Sequence, residues 1–571
     1  MRILLTLVPL PLLLTSCGQS GAASPAELEF VDVAEAAGII HPTICGDPRR
    51  WYIPESNGTG AAWLDHDGDG DLDLFVGNGG RLLYHDTEEG AELEVETPAT
   101  ARLYRNDGGL RFTDVTAEAG CTTTAWINGI AVGDVENDGD PDLYLAVFGG
   151  PDILLRNDGG SFVDVTQESG LGNELWGCAA TFGDPDRDGD LDLFVANYVQ
   201  FDVENAPAGG KRMIYEGVEL GWGPEAENEF GYNPGSPNRY YENKGGGLFE
   251  EATEEAGLAL ERALCSYAAI STDVDRDGWS DLLVANDVQP TSLFHNNGDG
   301  TFSEQGAERG FASNAEAQYT AAMGLAVADV DLDGDLDVLR TNFDFEANCL
   351  HLNDGSGTFR DVAAARGLGA ESMPRLGWGC SFFDAELDGD LDLLVANGHV
   401  LPQATEIGMS GWAQGSQLFR ASNDEGRMTW TDASDQAGAG LAPLRSSRGL
   451  AMADVDDDGD LDALIVDIDH RPRLLENRSR RVGHWVSVRL QGTSSNRDGI
   501  GALVRVTADG TTWTRDMRRT DGLFSSNDPR LHFGLGEASS ITAIEVTWPS
   551  GKVQRVESPE LDSRIVITEP E

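Results

Sequence analysis

Apolar residues in this chain come in short runs of strand length, bounded by Gly, Asn and Asp. Leu72-Asp73-Leu74-Phe75-Val76, Leu191-Asp192-Leu193-Phe194-Val195 and Leu391-Asp392-Leu393-Leu394-Val395 are three of them. Each follows a segment of small residues, as in Gly177-Cys178-Ala179-Ala180-Thr181-Phe182; Gly324-Leu325-Ala326-Val327-Ala328 is another such segment. Such pairs read as the two strands of a hairpin. The link between them is a nine-residue pattern, D-x-[DE]-x-D-G-x-x-D, whose sixth-position Gly permits the positive φ of a sharp reversal. It occurs seven times, starting at Asp65, Asp134, Asp184, Asp273, Asp329, Asp384 and Asp454. The shortest interval is 50 residues. That fits a four-stranded propeller blade, with insertions in the longer intervals.

A second repeat lies between the acidic segments: a strand, an Asn-rich turn and an F-x-D-V strand. Leu103-Tyr104-Arg105-Asn106-Asp107-Gly108 precedes Phe112-Thr113-Asp114-Val115, and related copies begin at Phe162, Phe249, Phe302, Phe359 and Trp430. The seventh segment leads to Leu474-Leu475-Glu476-Asn477-Arg478 and no such strand follows. The missing copy is Phe30-Val31-Asp32-Val33 at the other end of the chain. A ring of sheets must close to remove its edges, and borrowing the N-terminal strand does so. The prediction is an all-β chain: a seven-bladed β-propeller over 27–480, its last blade closed by the N-terminal strand.

The acidic links have their own chemistry. Alternate carboxylates on a curling loop converge on one centre, and hard oxygens at positions 1, 3, 5 and 9 suit Ca²⁺, together with the backbone carbonyl of position 7. Position 7 is Asp in six loops and Trp279 in the fourth, so its side chain is not the ligand. The expected ligand sets are Asp65, Asp67, Asp69, Asp71 and Asp73; Asp134, Glu136, Asp138, Asp140 and Asp142; and Asp184, Asp186, Asp188, Asp190 and Asp192. The fourth and fifth are Asp273, Asp275, Asp277, Trp279 and Asp281, then Asp329, Asp331, Asp333, Asp335 and Asp337. The last two are Asp384, Glu386, Asp388, Asp390 and Asp392, then Asp454, Asp456, Asp458, Asp460 and Asp462. EF-hands are excluded, because position 12 (Val76, Leu145, Val195, Val284, Arg340, Val395 or Ile465) is never the Glu they need. Loops that merely solubilise the surface are disfavoured too. Two carboxylates 4 Å apart repel by about 1 kcal/mol in water and several times that near a protein surface. These repeats resemble FG-GAP/VCBS repeats of integrin α-subunit propellers and bacterial surface proteins. That resemblance implies an integrin-like propeller with Ca²⁺ on its loops, about seven sites.

Composition narrows the partners. With 39 Lys and Arg against 98 Asp and Glu, the 571-residue chain carries a formal charge of −59, which excludes nucleic acid. Met1-Arg2 and the apolar run Ile3 to Leu14 read as a signal peptide, too short to span a bilayer. Leu14-Thr15-Ser16-Cys17 resembles a bacterial lipobox, implying cleavage after 16, lipid on Cys17 and a tether over 17–26. The expectation is an exported monomer held to the bacterial cell envelope by lipid alone. Export makes Cys45, Cys121, Cys178, Cys265, Cys349 and Cys380 candidates for disulfides, with 15 possible connectivities.

Beyond about residue 480 the acidic loops stop. Residues 471–571 hold 15 Lys and Arg against 13 Asp and Glu, and alternating runs such as Trp485-Val486-Ser487-Val488-Arg489-Leu490 predict a small β-sandwich over 481–571. Asn496-Arg497-Asp498-Gly499-Ile500-Gly501-Ala502, His532-Phe533-Gly534-Leu535-Gly536 and Trp548-Pro549-Ser550-Gly551 resemble the ASPIC/UnbV domain of the cartilage acidic protein family. Arg515, Arg518 and Arg519 form a basic cluster, suited to docking on the acidic propeller or to capturing an anion.

No H-E-x-x-H, G-x-S-x-G or Gly-rich phosphate loop is present, and the close carboxylates are taken up as metal ligands. His295 and His351, in the strand before the Asn turn, are read as structural. The functional expectation is a non-enzymatic, calcium-binding, surface-anchored module for an extracellular protein or glycan. Its candidate contact surfaces are the 201–240 insertion with Tyr215, Trp222, Phe230 and Tyr232, and the loops at 80–101 and 400–415. Two alternatives remain: an enzyme acting on a polysaccharide or phosphoester in the axial channel, and a calcium-rigidified spacer.

Overall fold

The structure, a computed structural model, describes residues 28–50, 52–87, 90–96, 100–201, 213–215, 218–220, 234–424 and 426–571. The expected signal segment, Cys17 and its tether, and Trp222, Phe230 and Tyr232 lie outside the described residues. Among the described residues, seven four-stranded antiparallel sheets share one plan. In the first, Ala61–Leu64, Asp73–Val76, Arg102–Asn106 and Phe112–Asp114 follow one another from the innermost strand outward. The remaining innermost strands are Trp126–Gly133, Gly177–Gly183, Ser266–Thr272, Leu325–Ala328, Gly377–Phe383 and Ser447–Ala453. They are rich in Gly and Ala, which lets neighbouring backbones approach, and they pack in cyclic order with the last against the first. The sheets are therefore blades of a β-propeller around one axis.

The last blade takes its outer strand from the N-terminus. Phe30–Asp32 pairs antiparallel with Arg473–Asn477, Phe30 opposite Asn477 and Asp32 opposite Leu475. This is the closure that the missing F-x-D-V copy predicted.

The Asn of the second repeat turns out to be the joint between blades. Asn106 Nδ2 donates to Leu72 O of its own acidic loop (3.2 Å) and to Val455 O of the seventh loop (3.3 Å). Asn157 reaches His66 O, Asn243 reaches Val135 O, Asn296 reaches Pro185 O, Asn353 reaches Val274 O and Asn477 reaches Ala385 O, all at 2.7–3.0 Å. Each is a buried amide bonded to the loop of the preceding blade, worth about 1 kcal/mol net. Blade six has Ala421 at this place, and Trp430 Nε1 instead donates to Leu391 O of its own loop. At the outer rim, Gly438 (φ +87°) closes on the backbone of Phe30, where a Cβ would stand 2.9 Å from its N and O.

The C-terminal unit is two sheets around a shared core. Thr511–Asp516, Leu503–Ala508, Ile541–Thr547 and Val553–Glu557 form one; Arg530–Gly536, His484–Gln491 and Ser563–Thr568 form the other. Val486, Val504, Val506, Phe533, Ile544 and Trp548 fill the space between them. Opposite them, Glu569 accepts the N–H groups of Thr493, Ser494 and Ser495 at 2.8–2.9 Å and the Ser550 hydroxyl.

The connection between Thr511–Asp516 and Arg530–Gly536 leaves this sandwich and enters the propeller axis. It touches all seven innermost strands. Ser526 exchanges backbone bonds with Ala61 and Trp63, Ile130 N–H donates to Phe524 O (2.9 Å), and Thr520 Oγ1 donates to Ala180 O (3.4 Å). Phe524 packs against Tyr267, Gly522 pairs with Leu325, Ser381 Oγ donates to Asp521, and Met452 N–H donates to Asn527 Oδ1. From the opposite mouth, Ser56, Asn57 and Gly58 bond to side chains of the innermost strands through Arg448, Tyr267 and Asn128. The chain itself thus enters, from both mouths, the channel that the catalytic alternative requires.

Two expectations follow. Phe524→Ala, which empties a fully buried site on the axis, should cost about 3–5 kcal/mol in urea unfolding; a loss under 1 kcal/mol would contradict the plug. Burial alone pushes the Glu569 carboxyl up, but bonds from Ser550, Ser495, Thr493 and Ser494 outweigh it and hold it at about 2. A depressed carboxyl contributes stability above its unfolded value, lost as pH falls through the folded one. Glu569→Gln should therefore be destabilised at pH 7 and converge on the parent between about pH 4.5 and pH 2; parallel pH–stability curves would contradict this.

Candidate metal centres

All seven acidic segments link an innermost strand to the next strand of its blade, on the face that carries the C-terminal unit. Backbone bonds set their curl. The position-5 carboxylate accepts the N–H of position 7 in every loop, at 2.9–3.2 Å. In six loops the position-1 carboxylate accepts the N–H of the Gly at position 6, as Asp134 does from Gly139 (2.7 Å). Position 4 also has positive φ: Asn137, Arg187, Arg276, Leu332, Leu387 and Asp457 at 59–63°, and Gly68 at 72°. The sequence pointed to position 6 alone, because most side chains found at position 4 give no sign of a left-handed backbone. Such residues cost of order 1 kcal/mol each and persist where the surroundings over-determine them.

Position 9 has a second role that sequence reasoning missed. One oxygen accepts the backbone N–H of the inter-blade Asn or its equivalent, as Asp73 does from Asn106 (2.7 Å), and this holds in all seven loops. The other accepts the N–H of position 2, as Asp142 does from Val135 (2.9 Å). In the third loop Pro185 has no N–H, and the Tyr240 hydroxyl takes its place on Asp192 (2.6 Å). The carboxylates that crowd each loop are thus wired to its own blade and, through Asn, to the blade before.

The arrangement brings ligand atoms together. Asp65, Asp67 and Asp69; Asp184, Asp186 and Asp188; and Asp273, Asp275 and Asp277 each place carboxylate oxygens within 4.8 Å of one another. Asp65, Asp273, Asp275, Asp329, Asp331 and Asp454 each hold a buried oxygen with no hydrogen-bond partner. Buried carboxylate oxygens are ordinarily satisfied, so these fit a cation with oxygen ligands. His295 Nδ1 lies beside Asp275 and Asp281 (3.3 and 3.1 Å), while His351 Nε2 bonds Ser313 O. Position-7 side chains turn elsewhere: Asp140 accepts from Gly159 N, Asp190 from Asn137, Asp335 pairs with Arg276, and Trp279 stacks on Arg187.

The three arginines of the basic cluster serve docking. Arg518 pairs with Asp516 and bonds Val327 O, Arg519 donates to Trp63 O (2.6 Å), and Arg515 stacks on Phe533 and lies near Asp329 and Asp384. Arg530 binds Asp528, Asp457 and the carbonyl of Asp454. The six candidate disulfide cysteines are all buried and none is joined in a disulfide; Cys178 Sγ instead accepts from Asn57 Nδ2 (3.3 Å) and Cys45 Sγ from Gly58 N–H (3.2 Å).

These repeats and the tail have counterparts. The FG-GAP-like repeat family matches residues 65–145, 134–195, 273–340 and 329–395, and the ASPIC and UnbV family matches 492–571. The chain carries FG-GAP-like repeats and an ASPIC and UnbV domain. The FG-GAP/ASPIC chain is 29% identical over 304 residues to Cartilage acidic protein 1 of Xenopus tropicalis, covering 51% of this chain and 43% of that one. It is 28% identical over 310 residues to the Homo sapiens protein of that name, covering 51% and 42%. It therefore spans less than half the length of these relatives. A solved Agrocybe aegerita lectin specific for non-reducing terminal N-acetylglucosamine aligns at TM-score 0.32 and 15% identity, over 73% of this chain and 94% of its own. An exotype rhamnogalacturonan lyase aligns at 0.32 and 14%, over 91% and 84%. Likenesses this distant say nothing about ligand or reaction.

In metal-free protein, burial pushes Asp134, Asp184 and Asp460 up to about 7, Asp281 to about 8, and Asp273, Asp329 and Asp454 to about 6. A raised folded-state value means that the folded chain binds the proton more tightly than the unfolded one. Stability from these groups is present near pH 4 and falls as pH rises through 6–8. Chelator-treated protein should melt at lower temperature at pH 8 than at pH 5; a melting temperature that rises over that interval would contradict the assignment.

Proposed function

We propose that this chain is an exported calcium-binding module, lipid-anchored through Cys17 to the bacterial cell envelope, that presents a rigid propeller to an extracellular protein or glycan. The observation that carries the metal part is the set of buried, unpartnered carboxylate oxygens on loops curled around them. Ca²⁺ takes six to eight oxygens from flexible loops, and each loop offers carboxylates at positions 1, 3, 5 and 9 plus a carbonyl. Seven such ions would add +14 to −59 and leave a strongly acidic surface.

The placement of the C-terminal unit supports the binding part. It packs on the acidic-loop face and sends residues 517–528 into the axis, so a partner would meet the opposite face or the outer rim. The 201–240 insertion and the 400–415 loop, with its turn at Ala404–Ile407, are the surfaces to test there.

Asp188→Ala tests the metal at one loop. At calcium 100-fold above Kd it should lose up to ~2.7 kcal/mol of stability relative to the parent. After chelation it should melt at or above the parent, because a repelling charge is gone. An equal loss with and without calcium would contradict the reading. For the partner, calcium-dependent capture on a glycan array or from an extracellular protein panel, lost on deleting 205–232, supports the module; capture indifferent to both overturns it.

A further inference from the structure

A crevice of about 350 Å³ opens where the third, fourth and fifth blades meet the C-terminal sandwich. Its size is that of a small-molecule site. In a chain with a net charge of −59, its lining carries three arginines against two aspartates, Asp273 and Asp516: Arg187 and Arg276 from position 4 of two acidic loops, and Arg505 from the facing sheet. Arg187 has no carboxylate partner among the described residues, its Nε is buried without a hydrogen bond, and its guanidinium is held over the Trp279 ring at 4.5 Å. Arg276 pairs with Asp335, and Arg505 stands 3.9 Å from Glu545, a loose pair. Of the two carboxylates at the rim, Asp516 is engaged by Arg518 and Thr272, and Asp273 accepts Gly278 N–H with one oxygen and holds the other for the cation proposed for its own loop. Leu503, Trp548 and Pro549 give the crevice an apolar wall.

A pre-stacked, unpaired arginine is organised for a planar oxyanion, which it binds through two parallel N–H donors. We propose that this crevice binds a small organic oxyanion of monosaccharide size, a sugar acid, with its carboxylate at Arg187 and its body against the apolar wall. The proposal rests on the binding-module reading and names a ligand class for it. Because both domains line the site, the ligand also locks the sandwich onto the propeller.

The test is calorimetric titration of the full chain in calcium buffer with D-glucuronate, neutral D-glucose and inorganic sulfate. Glucuronate should bind and raise the melting temperature, and glucose should not bind. Arg187→Gln should weaken glucuronate binding about 10- to 100-fold, the worth of a charged hydrogen bond, with its ligand-free melting temperature unchanged. Arg505→Gln, on the opposite wall, should weaken it as well and guards against a folding effect in the first variant. Sulfate binding as tightly as glucuronate would overturn the organic scaffold. No heat with glucuronate, or both variants binding like the parent, would overturn the site. Either failure leaves calcium-dependent melting, and so the metal reading, untouched.

Discussion

The structure depends on holding acidic side chains closer together than they would stay on their own. Each of the seven loops gathers four to six carboxylates, and their repulsion alone rivals the stability of a typical domain. Part of the answer is visible in the backbone. Positions 1, 5 and 9 each accept main-chain N–H groups, so the loops are curled by the charges they carry. What the hydrogen bonds leave over is a set of inward, unpartnered oxygens, and divalent cation is the group whose charge and coordination match them.

The same loops organise everything above and below them. Through the inter-blade Asn they are bonded to the next blade, so the geometry of one loop is felt around the ring. Through Arg530, Arg515 and Trp513, whose Nε1 donates to Gly389 O (2.9 Å), they seat the C-terminal sandwich. That sandwich sends residues 517–528 down the axis, so the propeller is not a ring with an independent tail. The two parts are one folded object, and any loosening of the loops would be felt by both.

Much of this was legible in the residues. The acidic pattern repeats in clear text, and the count of F-x-D-V copies showed that Phe30–Asp32 must cross from one terminus to the other, as it does. The plug was not legible. Met517-Arg518-Arg519-Thr520-Asp521-Gly522-Leu523-Phe524 has no strand or helix period, and its hydrogen-bond partners in the propeller lie 140 to 456 residues away in sequence. Its arginines declared a charge but not a direction. The inter-blade role of Asn106 and its equivalents was hidden for another reason: an Asn in a turn is explained locally by its own backbone, so nothing prompts the search for a second, distant carbonyl. Cysteine was misleading in the opposite sense, because export makes pairing plausible while all six thiols are buried and none is joined in a disulfide.

The measurement that bears most directly on the account is an anomalous-difference map from crystals grown in calcium. The expected result is a peak inside each acidic loop, within about 2.3–2.6 Å of carboxylate oxygens at positions 1, 3 and 5 and of the position-7 carbonyl. Loops that keep the same curl with no peak, their carboxylates satisfied by water alone, would contradict it.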